Sequence, residues 1–144
     1  MSDLKQKILG VIGRPFLASF ATVTADNKPW VRYVVAMADP ETMMIRFATF
    51  VTARKVEQIK ANPAVHITGG ASNLTEMSPY VQIEGTATFT QDKEKLHAAW
   101  NPMLGNYFEG PDDPNYALIE VTPSRIEING ANPENPMVPE VWEA

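Results

Sequence analysis

Between residues 80 and 89 the chain alternates with almost no break. Val81, Ile83, Ala87 and Phe89 point one way; Gln82, Glu84, Thr86 and Thr88 point the other. Successive side chains of a strand leave opposite faces, so this period of two demands one face in a core and one in water. A half-buried antiparallel strand lies here, and the rest of the chain must supply the sheet it joins.

The other candidate strands are short and separated by turn chemistry. Residues 16–24 form a nearly continuous apolar and β-branched run, which predicts a strand buried on both faces. Asp26-Asn27-Lys28-Pro29 turns the chain, and residues 30–37 return as the second arm of a hairpin. Residues 43–49 follow a turn at Asp39-Pro40-Glu41, and residues 65–68 run to Gly69-Gly70. Residues 71–78 read as an irregular loop. Residues 116–129 form the last strand, with a kink or bulge expected at Pro123, because the inward parity shifts between Val121 and Ile126.

Three helices are expected. Leu4, Ile8, Val11 and Ile12 recur at helical spacing after Ser2, a good N-cap. Residues 52–61 make a short helix stopped by Asn62-Pro63. Residues 91–103 carry Leu96, Ala99, Trp100 and Met103 on one stripe. Six short strands in meander order, with few helices, favour closure into a small antiparallel barrel, since an open sheet leaves an edge to be managed. The chain is therefore mainly β: one domain over residues 1–129 and a proline-rich tail over 130–144, which is expected to dock through Trp142.

The 144 residues suffice for one sizeable core, and 44% hydrophobic against 20% charged residues is a globular balance. No apolar run is long enough to cross a bilayer, and the N-terminal stretch lacks the apolar block of a signal peptide. There is no cysteine, which removes disulfides, thiolate metal sites and cysteine nucleophiles. A cytoplasmic protein is expected. A net charge of −5 argues against nucleic acid as the partner. Its distribution is uneven, because residues 28–60 hold six cations against three acids, whereas residues 61–144 hold three against twelve.

The basic region centres on Thr52-Ala53-Arg54-Lys55. Two cations in the first turn of a helix oppose its dipole by about 0.3–1 kcal/mol, unless an anion sits between them and the free N–H groups of that turn. Arg32 lies in an otherwise apolar strand and needs a partner there. A phosphate shared by Arg32, Arg54 and Lys55 satisfies all three; a salt bridge from Arg32 to a carboxylate such as Glu84 is the structural alternative. Arg46 alternates with Met44 and Ala48 and is read as outward and solvated. Tyr80 and Gln82, on the polar face of their strand, could hydrogen-bond a ring system. His66 and His97 have no metal-ligand spacing, and Asp112-Asp113 before Pro114 resembles a turn. With no nucleophile, acid–base pair or metal site, any reaction must be carried by a bound cofactor.

The order of these parts resembles the FMN-binding split-barrel family of pyridoxamine 5′-phosphate oxidase, and most closely its general stress protein 26-like branch. The matching pieces are Ala21-Thr22-Val23, Val31-Arg32-Tyr33-Val34-Val35, Phe47-Ala48-Thr49, Arg54-Lys55, Asn62-Pro63, Val81-Gln82-Ile83-Glu84-Gly85-Thr86-Ala87 and a helix carrying Trp100. The stress-protein branch adds residues 108–114 and 117–123. The resemblance implies a six-stranded split barrel with flanking helices and FMN at the interface of a homodimer. It makes Arg32, Arg54 and Lys55 phosphate ligands and gives Thr49 a bond to the phosphate or ribityl chain. Val34, Val35 and Ala48 line the isoalloxazine, Tyr80 or Gln82 reaches the flavin, and Trp100 covers it or anchors its helix. The implied activity is a flavin-dependent oxidoreductase with a small-molecule redox substrate. The alternatives are a non-catalytic flavin-binding stress or carrier protein, or a barrel binding haem or a deazaflavin. Met37 and Ala53 stand where the oxidases carry lysine and serine, so vitamin B6 oxidation is not expected.

Overall fold

The computed structural model describes residues 2–75 and 79–144. Helix α1 (Asp3–Ile12) is capped by the Ser2 hydroxyl, which accepts from the Lys5 N–H at 3.2 Å, and buries Ile8 and Ile12. The strands β1 (Phe16–Val23), β2 (Pro29–Ala38), β3 (Ile45–Phe50), β4 (Ala64–Gly69), β5 (Tyr80–Thr90) and β6 (Tyr116–Asn129) all pair antiparallel. Their order is β3-β2-β1-β4-β5-β6, and β3 pairs with β6 to close the ring. Six strands thus close the expected barrel. The expected loop is irregular over residues 71–75; the rest of it, 76–78, lies outside the described residues.

The closure is uneven, and this positions the site. β2 pairs with β1 along all eight residues of that strand, yet touches β3 only at Met37↔Arg46 and Ala38↔Ile45. Towards Pro29 the two strands part. Helix α2 (Arg54–Ala61) follows β3 immediately and turns Val56 and Ile59 into the main core, against β1 and β5. That core is built from the inward rows Phe16, Ala18, Phe20; Ala36, Ala38; Ile45, Phe47; Val81, Ile83 and Ile126, Ile128.

Several expectations change in three dimensions. β1 is not buried on both faces: its inward row is closed off, whereas Leu17 on the outer row is 63% exposed. An outward apolar residue and a core residue look alike in sequence. The helix expected over residues 91–103 ends early. α3 (Lys93–Ala99) stops where Asn101-Pro102 forces an extended residue, a turn of 3-10 helix follows over Pro102–Asn106, and Met103 is exposed. Leu96, Phe108, Tyr116 and Leu118 form a second, smaller core between this helix and the outer face of β6. The irregularity near Pro123 is a bulge, with Glu84 facing Arg125 and Gly85 facing Pro123, so that Ser124 is the extra residue. Gly85 suits it, since a Cβ there would meet the Thr122 carbonyl oxygen at 2.7 Å. The tail ends in a strand, β7 (Glu140–Glu143), paired with residues 125–128 of β6, and Trp142 packs on the main core.

Arg46 is not simply solvated. Its Nε donates to Glu120 at 2.6 Å, and Lys95 of α3 donates to the other oxygen at 2.8 Å. Burial alone would raise the Glu120 carboxyl, but Lys95 and Arg46 outweigh it and hold it below its ordinary value. Its stabilisation is therefore present above the unfolded value of about 4.5 and is lost as pH falls through the folded one. Glu120→Gln should cost about 1–3 kcal/mol at pH 7, discounted because both cations keep access to water. Urea unfolding at a series of pH values checks this, with the gap to the wild-type protein narrowing in acid.

Candidate functional site

Where β2 leaves β3, three cations meet. α2 has Ala53 at its N-cap position and no side-chain cap, so Arg54 and Lys55 take the first two helical positions beside unanswered N–H groups. Arg32 rises from β2 on the inward parity of Val34 and Ala36, over the ring of Phe20. Arg54 lies over the ring of Trp30, 5.6 Å from its centroid.

The Arg32 guanidinium is held only by neutral oxygens. Nη1 donates to the Thr22 hydroxyl at 2.8 Å and to the Phe20 and Trp30 carbonyls at 3.3 Å each. Nη2 donates to Gln58 Oε1 at 2.8 Å, and the Thr22 hydroxyl donates to the same oxygen at 2.5 Å. Glu84 is not its partner; that carboxylate accepts from Ser124. Among the described residues, no acid pairs with Arg32, Arg54 or Lys55. The electrostatic signature is mutual repulsion. Burial, and then Arg54, push Arg32 below its ordinary value; burial, and then Arg32, push Lys55 down. Two half-buried cations beside an exposed third, with no acid among them, are unfavourable unless an anion joins them.

The other predicted residues fall in three places. Val34 is two residues along β2 from Arg32 and packs on the main core. Thr49 is buried at the end of β3, its hydroxyl donating to the Phe50 carbonyl at 3.1 Å. Ala48 and Trp100 belong to the second core, where Trp100 meets Tyr116 edge-on at 5.5 Å. Val35, Tyr80 and Gln82 lie on the outer face of the barrel; Gln82 accepts from Asn129 and borders a polar cleft with His66, Glu84 and Arg125. Asp113 caps its own turn by accepting from the Glu109 and Asn115 N–H groups, and Asp112 pairs with His97 at 2.7 Å. Thr22, Gln58 and Trp30 were not foreseen. A signal existed for two of them: Thr22 interrupts the apolar inward row of β1, and Gln58 stands one turn after Arg54.

Beside the cations, the outer face of the β1–β2 hairpin is an apolar stripe. Leu17 stands opposite Val35, and Val31, Tyr33 and Met37 continue the row, Tyr33 being 74% exposed.

Known proteins show the same arrangement of parts. The sequence profile described as pyridoxamine 5′-phosphate oxidase matches residues 4–130. The chain belongs to that family. It is 33% identical to general stress protein 26 of Bacillus subtilis (strain 168) over 135 residues, covering 94% of each chain. It is also similar to the crystal structure of general stress protein 26 from Bacillus anthracis str. Sterne, with a TM-score of 0.82 at 28% identity over 99% of this chain and 100% of that one. A structure named F420 reductase aligns at a TM-score of 0.65 and 25% identity, over 82% of this chain and 94% of its own. This is a flavin-binding split-barrel family.

The mutual repulsion of Arg32, Arg54 and Lys55 has a measurable cost. Lys55→Met should stabilise the ligand-free protein by about 0.3–1 kcal/mol, the usual scale for a cation misplaced at a helix N-terminus. The sign with pH follows from the lowered value: wild-type stability rises as pH climbs through the folded Lys55 value towards 10.5, and this part of the slope disappears in the variant. Thermal unfolding at low ionic strength between pH 8 and 10.5 measures both.

Proposed function

We propose that the protein is a homodimeric FMN-binding flavoprotein, acting in the cytoplasm as a flavin-dependent oxidoreductase on a small-molecule redox substrate. The observation that carries this reading is the convergence of Arg32, Arg54 and Lys55 without a carboxylate. A phosphate monoester fits that donor set, because it brings the missing negative charge and several acceptor oxygens to two guanidinium groups, an ammonium and free helix N–H groups.

Arg32, Arg54 and Lys55 would hold the phosphate, with Thr49 at the adjoining strand end. Val34 and Val35, next along β2, would line the isoalloxazine, and Tyr80 or Gln82 would offer polar groups to it. FMN, when bound, supplies the redox chemistry. The protein binds its phosphate, orients the ring and excludes water from it. The apolar stripe supports a second copy of the chain as the cover, because Leu17, Val31, Tyr33, Val35 and Met37 are costly to leave in water.

FMN titrated into the apoprotein, followed by absorbance and calorimetry, tests the site. Arg54→Ala combined with Lys55→Ala should weaken binding by about 2–4 kcal/mol, the sum of two charge-assisted bonds. Unchanged affinity would retire the phosphate assignment. Reduction of the bound flavin by NADH or NADPH, and reoxidation by added acceptors, separates an enzyme from a carrier. The dimer has its own test. Tyr33→Asp with Val35→Asp should give a monomer in sedimentation velocity and lose FMN with it; an unaltered dimer would place the interface elsewhere.

A further inference from the structure

The way Arg32 is held sets it apart from the other structural arginines. Arg46 is neutralised by Glu120 and Arg125 by Glu127 and Glu143, each through short ionic contacts. Arg32 instead meets two neutral side-chain oxygens, Thr22 Oγ1 and Gln58 Oε1, which are themselves joined by a hydrogen bond. A guanidinium has five N–H donors. Here Nη1 is engaged threefold and Nη2 once, while Nε has no acceptor among the described residues. The neutral contacts fix the position of the group but leave its charge and two donors, the Nε–H and the second Nη2–H, for something else.

We infer that Gln58 and Thr22 are positioning residues that hold the Arg32 guanidinium with neutral oxygens, so that its full charge serves an incoming phosphate. This rests on the phosphate reading of the site and extends it to residues that need not touch the ligand. Its physical content is that the amide at position 58 is there because it is not a carboxylate. Glutamate has nearly the same shape, can occupy the same place and would accept from Arg32 through a charge-assisted pair. The three-cation site would then carry one net charge less, and the phosphate would have to compete with an internal counter-ion. Thr22 supports the arrangement from β1. It is buried, and its hydroxyl turns the Gln58 oxygen towards the guanidinium by donating to it while accepting from Arg32.

The test is Gln58→Glu in the full chain, probed with FMN and with inorganic phosphate by calorimetric titration, and by thermal unfolding without ligand. The expected result is a pair of opposite changes: FMN affinity falls tenfold or more, and the ligand-free melting temperature is equal to or above that of the wild type. A residue of merely structural importance would lower both, and that outcome overturns the inference. Unchanged affinity for both probes overturns it as well. Should Gln58→Glu fail to fold, Thr22→Val and Thr22→Ser decide. Valine should weaken FMN binding and serine restore it, and equal affinity for the two overturns the proposal. Wild-type protein that binds neither probe overturns the inference together with the site reading beneath it, whereas wild-type binding with an unaffected Gln58→Glu variant overturns the inference alone.

Discussion

The structure depends on one strand that is paired unequally on its two sides. β2 follows β1 over eight residues and follows β3 over two. Had both ladders run to the end, the barrel would be sealed and Arg32 would face only core. Instead the gap admits the start of α2, and a helix entering a gap brings uncapped N–H groups with it. The same departure leaves β2 with an unpaired edge towards Pro29. The apolar outer row of the hairpin lies beside that opening, but it is set by residue type and strand parity and not by the interrupted ladder.

The protein treats two partly buried strand arginines in opposite ways. Arg46 lies on a strand that closes the barrel, and its charge is cancelled by a buried carboxylate that also ties down α3 through Lys95. Arg32 lies at the opening and is held without cancellation. Breaking a buried ion pair is strongly destabilising, so pairing serves architecture. An uncancelled, half-buried charge has an electrostatic cost in the free protein and is useful only if that cost is relieved by binding. The contrast within a single chain makes the second arrangement hard to read as an accident of packing.

Much of this was legible in the amino-acid order. The alternation through β5, the span of β6, the parity break near Pro123 and the cations opening α2 are local signals, and local signals survive into the fold. Three features depended on distance or on which face of a strand is covered. The partner of Arg46 is Glu120, far along the chain, and nothing near Arg46 announces it. The outer row of β1 carries a core-like composition, and an exposed apolar row cannot be told from a core by periodicity. Thr22 and Gln58 are neutral and common, so they give no charge anomaly to follow. Each has a faint positional signal, but their joint role is visible only once the hairpin register and the helix bring them to the same guanidinium.

Three of the four atoms that grip Arg32 belong to its own hairpin, at Phe20, Thr22 and Trp30. The arginine is thus immobilised by the turn that carries it, whether or not anything has docked. Ordering a long, rotamer-rich side chain at the moment of association would subtract about 0.5–1.5 kcal/mol from affinity. Here that entropic loss falls on folding, so a phosphate bound as proposed would meet an arginine already in place.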